Sequence, residues 1–228
     1  GYIPVPISTL LRAKDYIFII EDSDCAVAIY SPEYAKEFET ALMATKKGPE
    51  FNICTEGNKG SLVSLMNSSK GNLMAHPATA DDDCFWLYTS GSTGTPKGAV
   101  HAHKDMVITS QYYGVETLGI TSEDIHYSAA KLFFAYGLGN AMSFPLWTGG
   151  QAVLYSGRPT PEIVHETIKT FNPSIFYGVP TLYGAQLHAL NKNIKMFPSL
   201  RLCVSAGEPL PEIIFKKWKE KTGLTIVD

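Results

Sequence analysis

Hydrophobic and polar positions along the chain alternate between strand-like and helix-like patterns. Short apolar runs such as CAVAIY at residues 25–30 are typical of buried strands, whereas longer segments such as 33–45 repeat apolar residues at helical spacing. The predicted strands cover residues 2–5, 25–30, 51–54, 84–88, 151–155, 174–177, 201–204 and 224–227. The predicted helices cover residues 11–21, 33–45, 61–67, 104–118, 138–146, 161–170, 182–190 and 211–222. This alternation predicts an α/β fold class with mostly parallel sheets that are covered by helices.

The segment at residues 68–83 interrupts the alternation. It is polar, contains Pro77 and ends in an acidic run at 81–83. This composition predicts a surface connection, and the acidic run fits a solvated loop better than a metal site. The connection divides the chain into a first βα segment, residues 1–83, and a second segment, residues 84–228. Because both ends of the sequence read as strands, we expect the chain to be a fragment of a longer enzyme.

The composition narrows the class of protein. Hydrophobic residues make up 45% and charged residues 18% of the chain, which is the ordinary balance of a soluble globular protein. The net charge of -3 argues against a nucleic-acid-binding protein, which would normally be clearly basic. No apolar run is long enough to span a membrane. The 4 cysteines are scattered without a C-x-x-C pair, which favours free thiols in a reducing compartment and thus a cytoplasmic protein.

The strand at residues 84–88 leads directly into the stretch YTSGSTGTPKG at residues 88–98. Glycines allow backbone N–H groups to turn toward a ligand, and consecutive N–H groups form a concave nest for oxyanions. Serine and threonine hydroxyls add donors, and Lys97 adds a positive charge that can reach terminal phosphates. These residue types indicate a polyphosphate ligand.

The spacing of this stretch excludes two common nucleotide motifs. Walker A needs glycine before the lysine and serine or threonine after it, but Pro96 precedes Lys97 and Gly98 follows it. The G-x-G-x-x-G motif fails because Gly91 and Gly94 are separated by two residues. The alternative is a flexible linker rich in serine and glycine, which does not account for Pro-Lys-Gly after an apolar strand.

The stretch YTSGSTGTPKG resembles the phosphate-loop signature of the adenylate-forming superfamily, which includes acyl-CoA synthetases and peptide-synthetase adenylation domains. Three further motifs follow in the order of that family: KLFFAYGLGN at 131–140, YGVPTLY at 177–183 and SAGEPLP at 205–211. The resemblance covers essentially the whole chain and is strongest to the benzoate–CoA ligase branch. It implies part of the large amino-terminal domain of an adenylate-forming enzyme, without the smaller carboxyl-terminal domain.

The resemblance implies a role for each motif. The phosphate loop would bind the β- and γ-phosphates of ATP through Thr89, Ser90, Gly91, Ser92, Thr93, Gly94, Thr95 and the catalytic Lys97. Aromatic walls and small residues suit a pocket for a flat acid, and the implied aryl contacts are Phe134, Ala135, Tyr136 and Gly137. The turn SAGEPLP would contact adenine and ribose, and the implied nucleotide contacts on that side are Gly207, Glu208, Pro209 and Asp228.

Structural interpretations of these motifs remain open at the level of sequence. KLFFAYGLGN is also compatible with a buried helix start, and SAGEPLP with a simple turn between strand and helix. Lys131 could attract a carboxylate, although a solvated lysine is the simpler interpretation.

The resemblance further implies a two-step reaction that uses ATP, Mg²⁺ and coenzyme A. An aromatic carboxylate attacks the α-phosphate of ATP, and coenzyme A then displaces AMP from the acyl-adenylate. The family's magnesium-binding acid, ribose-binding aspartate and adenylation lysine have no counterpart in this chain, so we expect no metal ligand within it and no activity from it alone. The alternatives are a fatty acid–CoA ligase, an amino-acid adenylation domain or a non-catalytic nucleotide-binding fragment.

Overall fold

Strands and helices alternate through the computed structural model, which describes residues 1–89, 96–189 and 197–228. The strands are β1 (Val27–Tyr30), β2 (Phe51–Cys54), β3 (Asp83–Thr89), β4 (Lys97–Ala102), β5 (Ile125–Ser128), β6 (Gln151–Val153), β7 (Ile175–Gly178), β8 (Leu202–Ser205) and β9 (Ile226–Val227). The α-helices are α1 (Ala13–Ser23), α2 (Ala35–Ala44), α3 (Leu62–Ser68), α4 (His103–Ile108), α5 (Ala135–Leu138), α6 (Phe144–Thr148), α7 (Pro161–Phe171), α8 (Pro180–Ala189) and α9 (Glu212–Thr222). Two π-helical segments, Thr109–Thr117 and Gly139–Ser143, continue α4 and α5.

The first of two compact units is Gly1–His101. Strands β1 and β2 pair in parallel, and β3 pairs with β4 in a second two-stranded sheet. Helices α1 and α2 pack on each other through Tyr16, Ile20, Phe38 and Ala41. These residues bury an apolar stripe that recurs at helical spacing in the sequence.

The second unit, Ala102–Asp228, contains a five-stranded parallel sheet in the order β6-β5-β7-β8-β9. Successive side chains of a strand point to opposite faces, and both faces are covered here. Phe176 and Cys203 face one core with helices α7, α8 and α9, whereas Tyr177 and Val204 face another core with α6 and the segment around Leu118. The predicted fold class, parallel sheet covered by helices, is therefore confirmed in this unit.

Most predicted elements are confirmed with small shifts at their ends, and the helix predicted at 182–190 ends at a residue outside the described ones. The strand predicted at residues 2–5 is wrong, because Pro4 and Pro6 cannot donate to a ladder and one bond, from Trp86 N to Pro4 O (3.1 Å), ties this segment to β3. The sequence prediction also missed β4 and β5. Strand β4 has no buried residue, so it lacks an apolar run, and β5 carries polar residues that are buried only in the folded sheet.

An ion pair between a buried carboxylate and a half-exposed guanidinium joins the amino ends of three neighbouring strands. Asp124 precedes β5, and Arg201 precedes β8; Arg201 donates from Nε to Oδ1 (2.7 Å) and from Nη2 to Oδ2 (2.6 Å) of Asp124. Ser174, which precedes β7, donates from Oγ to Oδ1 of the same carboxylate at 2.7 Å. Burial by itself would raise the pKa of Asp124, but the hydrogen bonds from Arg201 and Ser174 hold it well below its usual range. This charged cluster ties the amino ends of β5, β7 and β8 together.

His126 is buried beside this cluster, on β5. Its Nδ1 and the Tyr177 hydroxyl share a hydrogen bond of 3.0 Å, and the two rings are stacked. Within the described residues, Nε2 of His126 has no hydrogen-bond partner. Desolvation by burial lowers the pKa of His126 to about 4 from its ordinary 6.5.

We expect the stability of the chain to fall as the pH is lowered from 7.5 to 5. Below pH 6.5 the unfolded chain binds a proton on His126, whereas the folded chain does not bind it until about pH 4. The linkage relation predicts that the free energy of unfolding falls by about 2 kcal/mol between pH 7.5 and pH 5. Urea unfolding at both pH values would measure it.

The matched variant for this experiment is His126→Gln, which keeps a polar side chain and does not titrate. Its free energy of unfolding should change much less between pH 7.5 and pH 5 than that of the wild type. An unchanged pH dependence in this variant would assign the effect to other groups.

Candidate functional site

The carboxyl ends of parallel strands meet at one edge of the second unit's sheet. The register places Gly178 beside Ser205 and Val204 beside Val227. Strand β5 connects to β6 on one side, while β7 leads to β8 on the other, so the direction of winding reverses between β5 and β7. Open α/β sheets bind ligands in the crevice at such a reversal point. The predicted aryl and adenine motifs follow β5 and β8, and they therefore belong to this edge.

Tyr136 spans this edge. Its hydroxyl lies 3.0 Å from the carbonyl oxygen of Val204 and 3.2 Å from that of Gly178, so it can donate its one proton to either strand end. Its ring stands edge-on to Tyr177, with 6.3 Å between the centroids. Burial raises the pKa of Tyr136 far above its ordinary value, with smaller effects from Tyr113 and Tyr177. The side chain is thus a fixed, protonated aromatic wall whose hydroxyl is already engaged by backbone.

The other predicted aryl contacts differ in their surroundings. Phe134 and Ala135 are exposed, and Phe134 retains 45% of its accessible surface. Gly137 is buried, and a Cβ atom there would lie 2.1 Å from the carbonyl oxygen of Lys131. This contact is a structural reason for glycine at position 137 that involves no ligand. The aryl role of all these residues remains a prediction.

Lys131 is partly buried, and its ammonium is engaged by backbone rather than by a carboxylate. Its ammonium donates to the backbone carbonyls of Tyr155 and Gly157, and it lies 5.1 Å from the centroid of the Tyr155 ring. Desolvation by burial lowers the pKa of Lys131. The interpretation as a solvated lysine is wrong, because the side chain ties the loop after β6 to the loop after β5.

The turn after β8 contains a glycine with a positive φ angle. Gly207 has a φ of +93°, a backbone conformation that other residues rarely adopt. Gly207, Glu208 and Pro209 are exposed, and Leu210 N donates to Oδ2 of Asp228 at 3.2 Å. The structure thus brings Asp228, predicted on a single residue, to the turn predicted to contact adenine.

Tyr113 is a residue of this region that no sequence motif indicated. It lies in the π-helical segment Thr109–Thr117 and packs in the same core as Tyr136. Burial raises its pKa, and the charge of Asp228 raises it further. π-Helical segments are rare and frequently lie at functional sites. The only signal in the sequence was a helical pattern with a glycine, which cannot distinguish a π-helix from an α-helix.

The base of the glycine loop belongs to the first unit. Strand β3 ends at Thr89 and β4 begins at Lys97, and both residues are exposed. The predicted phosphate contacts Ser90, Gly91, Ser92, Thr93, Gly94 and Thr95 lie outside the described residues. The described geometry therefore covers the two strands that carry this loop.

Two further features concern the described residues as a whole. They contain no group of three or more His, Cys, Asp or Glu side chains that could hold a metal ion. None of their helices combines the length and the apolar composition needed to cross a membrane.

The family model of the AMP-binding enzyme matches residues 1–228. The chain belongs to this family. Benzoate–CoA ligase of Thauera aromatica is 42% identical over the whole chain, which spans 43% of the length of that relative. The resemblance inferred from the glycine loop and the three later motifs is thus confirmed at the level of the family.

Solved structures of family members share the fold. A benzoate CoA ligase from Burkholderia xenovorans LB400 superposes with a TM-score of 0.88 and 34% identity, and the anthranilate CoA ligase AuaEII, solved with anthranoyl-AMP, with 0.91 and 38%. In both cases the match covers 98% of this chain and 44% of the other chain. The fold therefore corresponds to part of the amino-terminal domain of these ligases.

Proposed function

We propose that this chain is the nucleotide- and aryl-binding part of an aryl acid–CoA ligase. The ligase activates benzoate or a related aromatic carboxylate with ATP and then forms the coenzyme A thioester. The observation that carries the proposal is that Tyr136 bonds to the carboxyl ends of β7 and β8, the strand end from which the turn held by Asp228 follows. An edge with one aromatic and one polar side suits an aryl-adenylate.

The first step is a displacement at the α-phosphorus of ATP. A carboxylate oxygen forms a bond to phosphorus, and the bond to the pyrophosphate oxygen breaks. The loop between β3 and β4 binds the β- and γ-phosphates, and Lys97 offsets the negative charge of the leaving pyrophosphate. In the second step the sulfur of coenzyme A attacks the acyl carbon, and AMP leaves.

The aryl ring packs against Tyr136 and Phe134. Because the Tyr136 hydroxyl donates its one proton to a backbone carbonyl, it has no proton left for the substrate carboxylate, and the ring provides the contact. A rigid aromatic wall favours a short flat acid over a long acyl chain. Gly207, Glu208, Pro209 and Asp228 contact the adenine and ribose.

Magnesium accompanies ATP in this proposal as part of the substrate. The described residues supply no cluster of acidic or histidine ligands for it. No residue of the described segments is therefore assigned to the metal.

The protein encoded by the complete reading frame should release pyrophosphate with benzoate, ATP and Mg²⁺, and less with octanoate or phenylalanine. The Lys97→Met variant should lose about 100-fold in the rate of adenylate formation, the usual effect of removing a charge-stabilising donor. Lys14→Met, which alters an exposed lysine of α1, is the matched control and should keep full activity. A preference for octanoate or an amino acid would replace the aryl proposal by one of the other adenylate-forming activities.

A further inference from the structure

Tyr88 lies at the base of the glycine loop and contacts both strands that carry it. It is the residue before Thr89 on β3. A Cβ atom built on Gly98, in β4, would lie 3.2 Å from Cζ of Tyr88, so the phenol ring covers the backbone of β4 closely. Phe18 of α1 packs against the same ring edge-on, with 6.4 Å between centroids. One aromatic ring therefore packs on β4 and on α1 at the base of the loop, where β3 and β4 pair.

The Tyr88 hydroxyl extends this contact to a helix. It donates to Oδ2 of Asp22 at 2.6 Å, a short bond of the kind that a charged acceptor makes. Burial raises the pKa of Tyr88, and the hydrogen bond with Asp22 raises it further. The hydroxyl is thus protonated and able to donate near neutral pH.

Asp22 occupies an unfavourable place for a carboxylate. It is the penultimate residue of α1, and the carboxyl end of a helix repels negative charge. Two other acids of this helix end have partners in the segment after α2: Glu21 accepts from the backbone N of Lys46 (2.9 Å), and Asp24 pairs with Lys47 (2.5 Å). The bond from Tyr88 gives Asp22 a long-range partner, 66 residues away in sequence.

We propose that Tyr88 and Asp22 are a positioning pair for the binding of ATP phosphates. The inference rests on the proposed function, because it is the glycine loop that is assigned to the phosphates. A nest of backbone N–H groups binds an anion well only when its two ends are held at the correct separation. Tyr88 holds the end on β3 against the start of β4, and Asp22 fixes Tyr88 to α1. Neither residue touches the reacting atoms.

The test compares three substitutions in the protein encoded by the complete reading frame. Asp22→Ala and Tyr88→Phe each remove the bond, and each should raise the Kd and the KM for ATP about tenfold, in keeping with a hydrogen bond to a charged group. The KM for benzoate should stay unchanged. Asp22→Asn keeps an acceptor oxygen without the charge and should restore most of the ATP affinity. This rescue distinguishes positioning from an effect of charge.

Lys47→Ala is the matched control, because it breaks the neighbouring exposed pair of the same helix end without touching β3. It should leave the Kd for ATP unchanged. An Asp22→Ala variant with wild-type ATP affinity, or a Lys47→Ala variant that loses as much, would overturn the inference.

Calorimetry with ATP and Mg²⁺ separates this inference from the proposed function. A wild-type protein that binds ATP but activates no carboxylic acid contradicts the ligase and still tests the pair through the Kd. A wild-type protein that binds no ATP contradicts both. Amide exchange of β4 adds a readout without nucleotide: it should quicken in Asp22→Ala and not in Lys47→Ala.

Discussion

The Arg201→Met variant is expected to lose about 3 kcal/mol in the free energy of unfolding, near the lower end of the cost of breaking a buried ion pair. The substitution leaves the Asp124 carboxylate, whose side chain is 4% exposed, without its two bonds from the guanidinium. We place the loss at the lower end because the Arg201 side chain itself is 42% exposed and because Ser174 still donates to the carboxylate. Urea unfolding at pH 7.5, followed by circular dichroism, measures it.

An exposed pair of the same unit provides the control. Lys216 and Glu212 lie one turn apart on α9 at 2.5 Å, with side chains that are 68% and 77% exposed. Lys216→Met should have almost no effect on stability, because exposed ion pairs are screened by water. Equal losses in the two variants would show that the cluster at the amino ends of β5, β7 and β8 does not fix the sheet.

The Gly137→Ala variant is expected to lose about 3 kcal/mol in stability, at the upper end of the usual cost of overpacking a core. The added methyl group would lie 2.1 Å from the carbonyl oxygen of Lys131 and 2.6 Å from that of Ala130, and backbone atoms cannot move aside as a side chain can. Thermal unfolding of the chain without any ligand measures the effect.

Gly139→Ala is the matched substitution in the same motif. Its methyl group would lie 3.5 Å from the ring of Phe144, an ordinary van der Waals distance. This variant should stay within about 1 kcal/mol of the wild type, since alanine also favours a helix more than glycine does. If Gly137→Ala folded as stably as the wild type and lost only the binding of the aromatic acid, then Gly137 would serve the pocket and not the backbone.

The motifs of the chain could be recognised from the sequence because each consists of residues that are close together in the chain. The glycine loop at 88–98 shows its chemistry in consecutive residues, and the three later motifs keep the order of the family. The ends of helices α7 and α9 were predicted to within one residue. Their apolar stripes and capping residues lie in the helix itself or directly beside it in the sequence. The family model that matches residues 1–228 confirms what these patterns indicated.

The elements and contacts that the sequence did not predict depend on residues that are far apart in the chain. Strand β5 carries His126 and Ser128, which are polar in the sequence and buried in the fold. His126 is tolerated there because its partner Tyr177 comes from a neighbouring strand, 51 residues further on. Lys131 looked like a surface residue because the carbonyls that it binds, at Tyr155 and Gly157, lie in another loop.

The sequence by itself determined the α/β class and the family and predicted a phosphate loop, since periodicity and motif spacing are properties of neighbouring residues. The tertiary structure alone decided the strand order β6-β5-β7-β8-β9 and the roles of Tyr136, Lys131 and Gly137. A hydrogen bond or a close contact between distant segments depends on which strands become adjacent. That choice is made by the burial of both faces of the sheet, and no local pattern contains it.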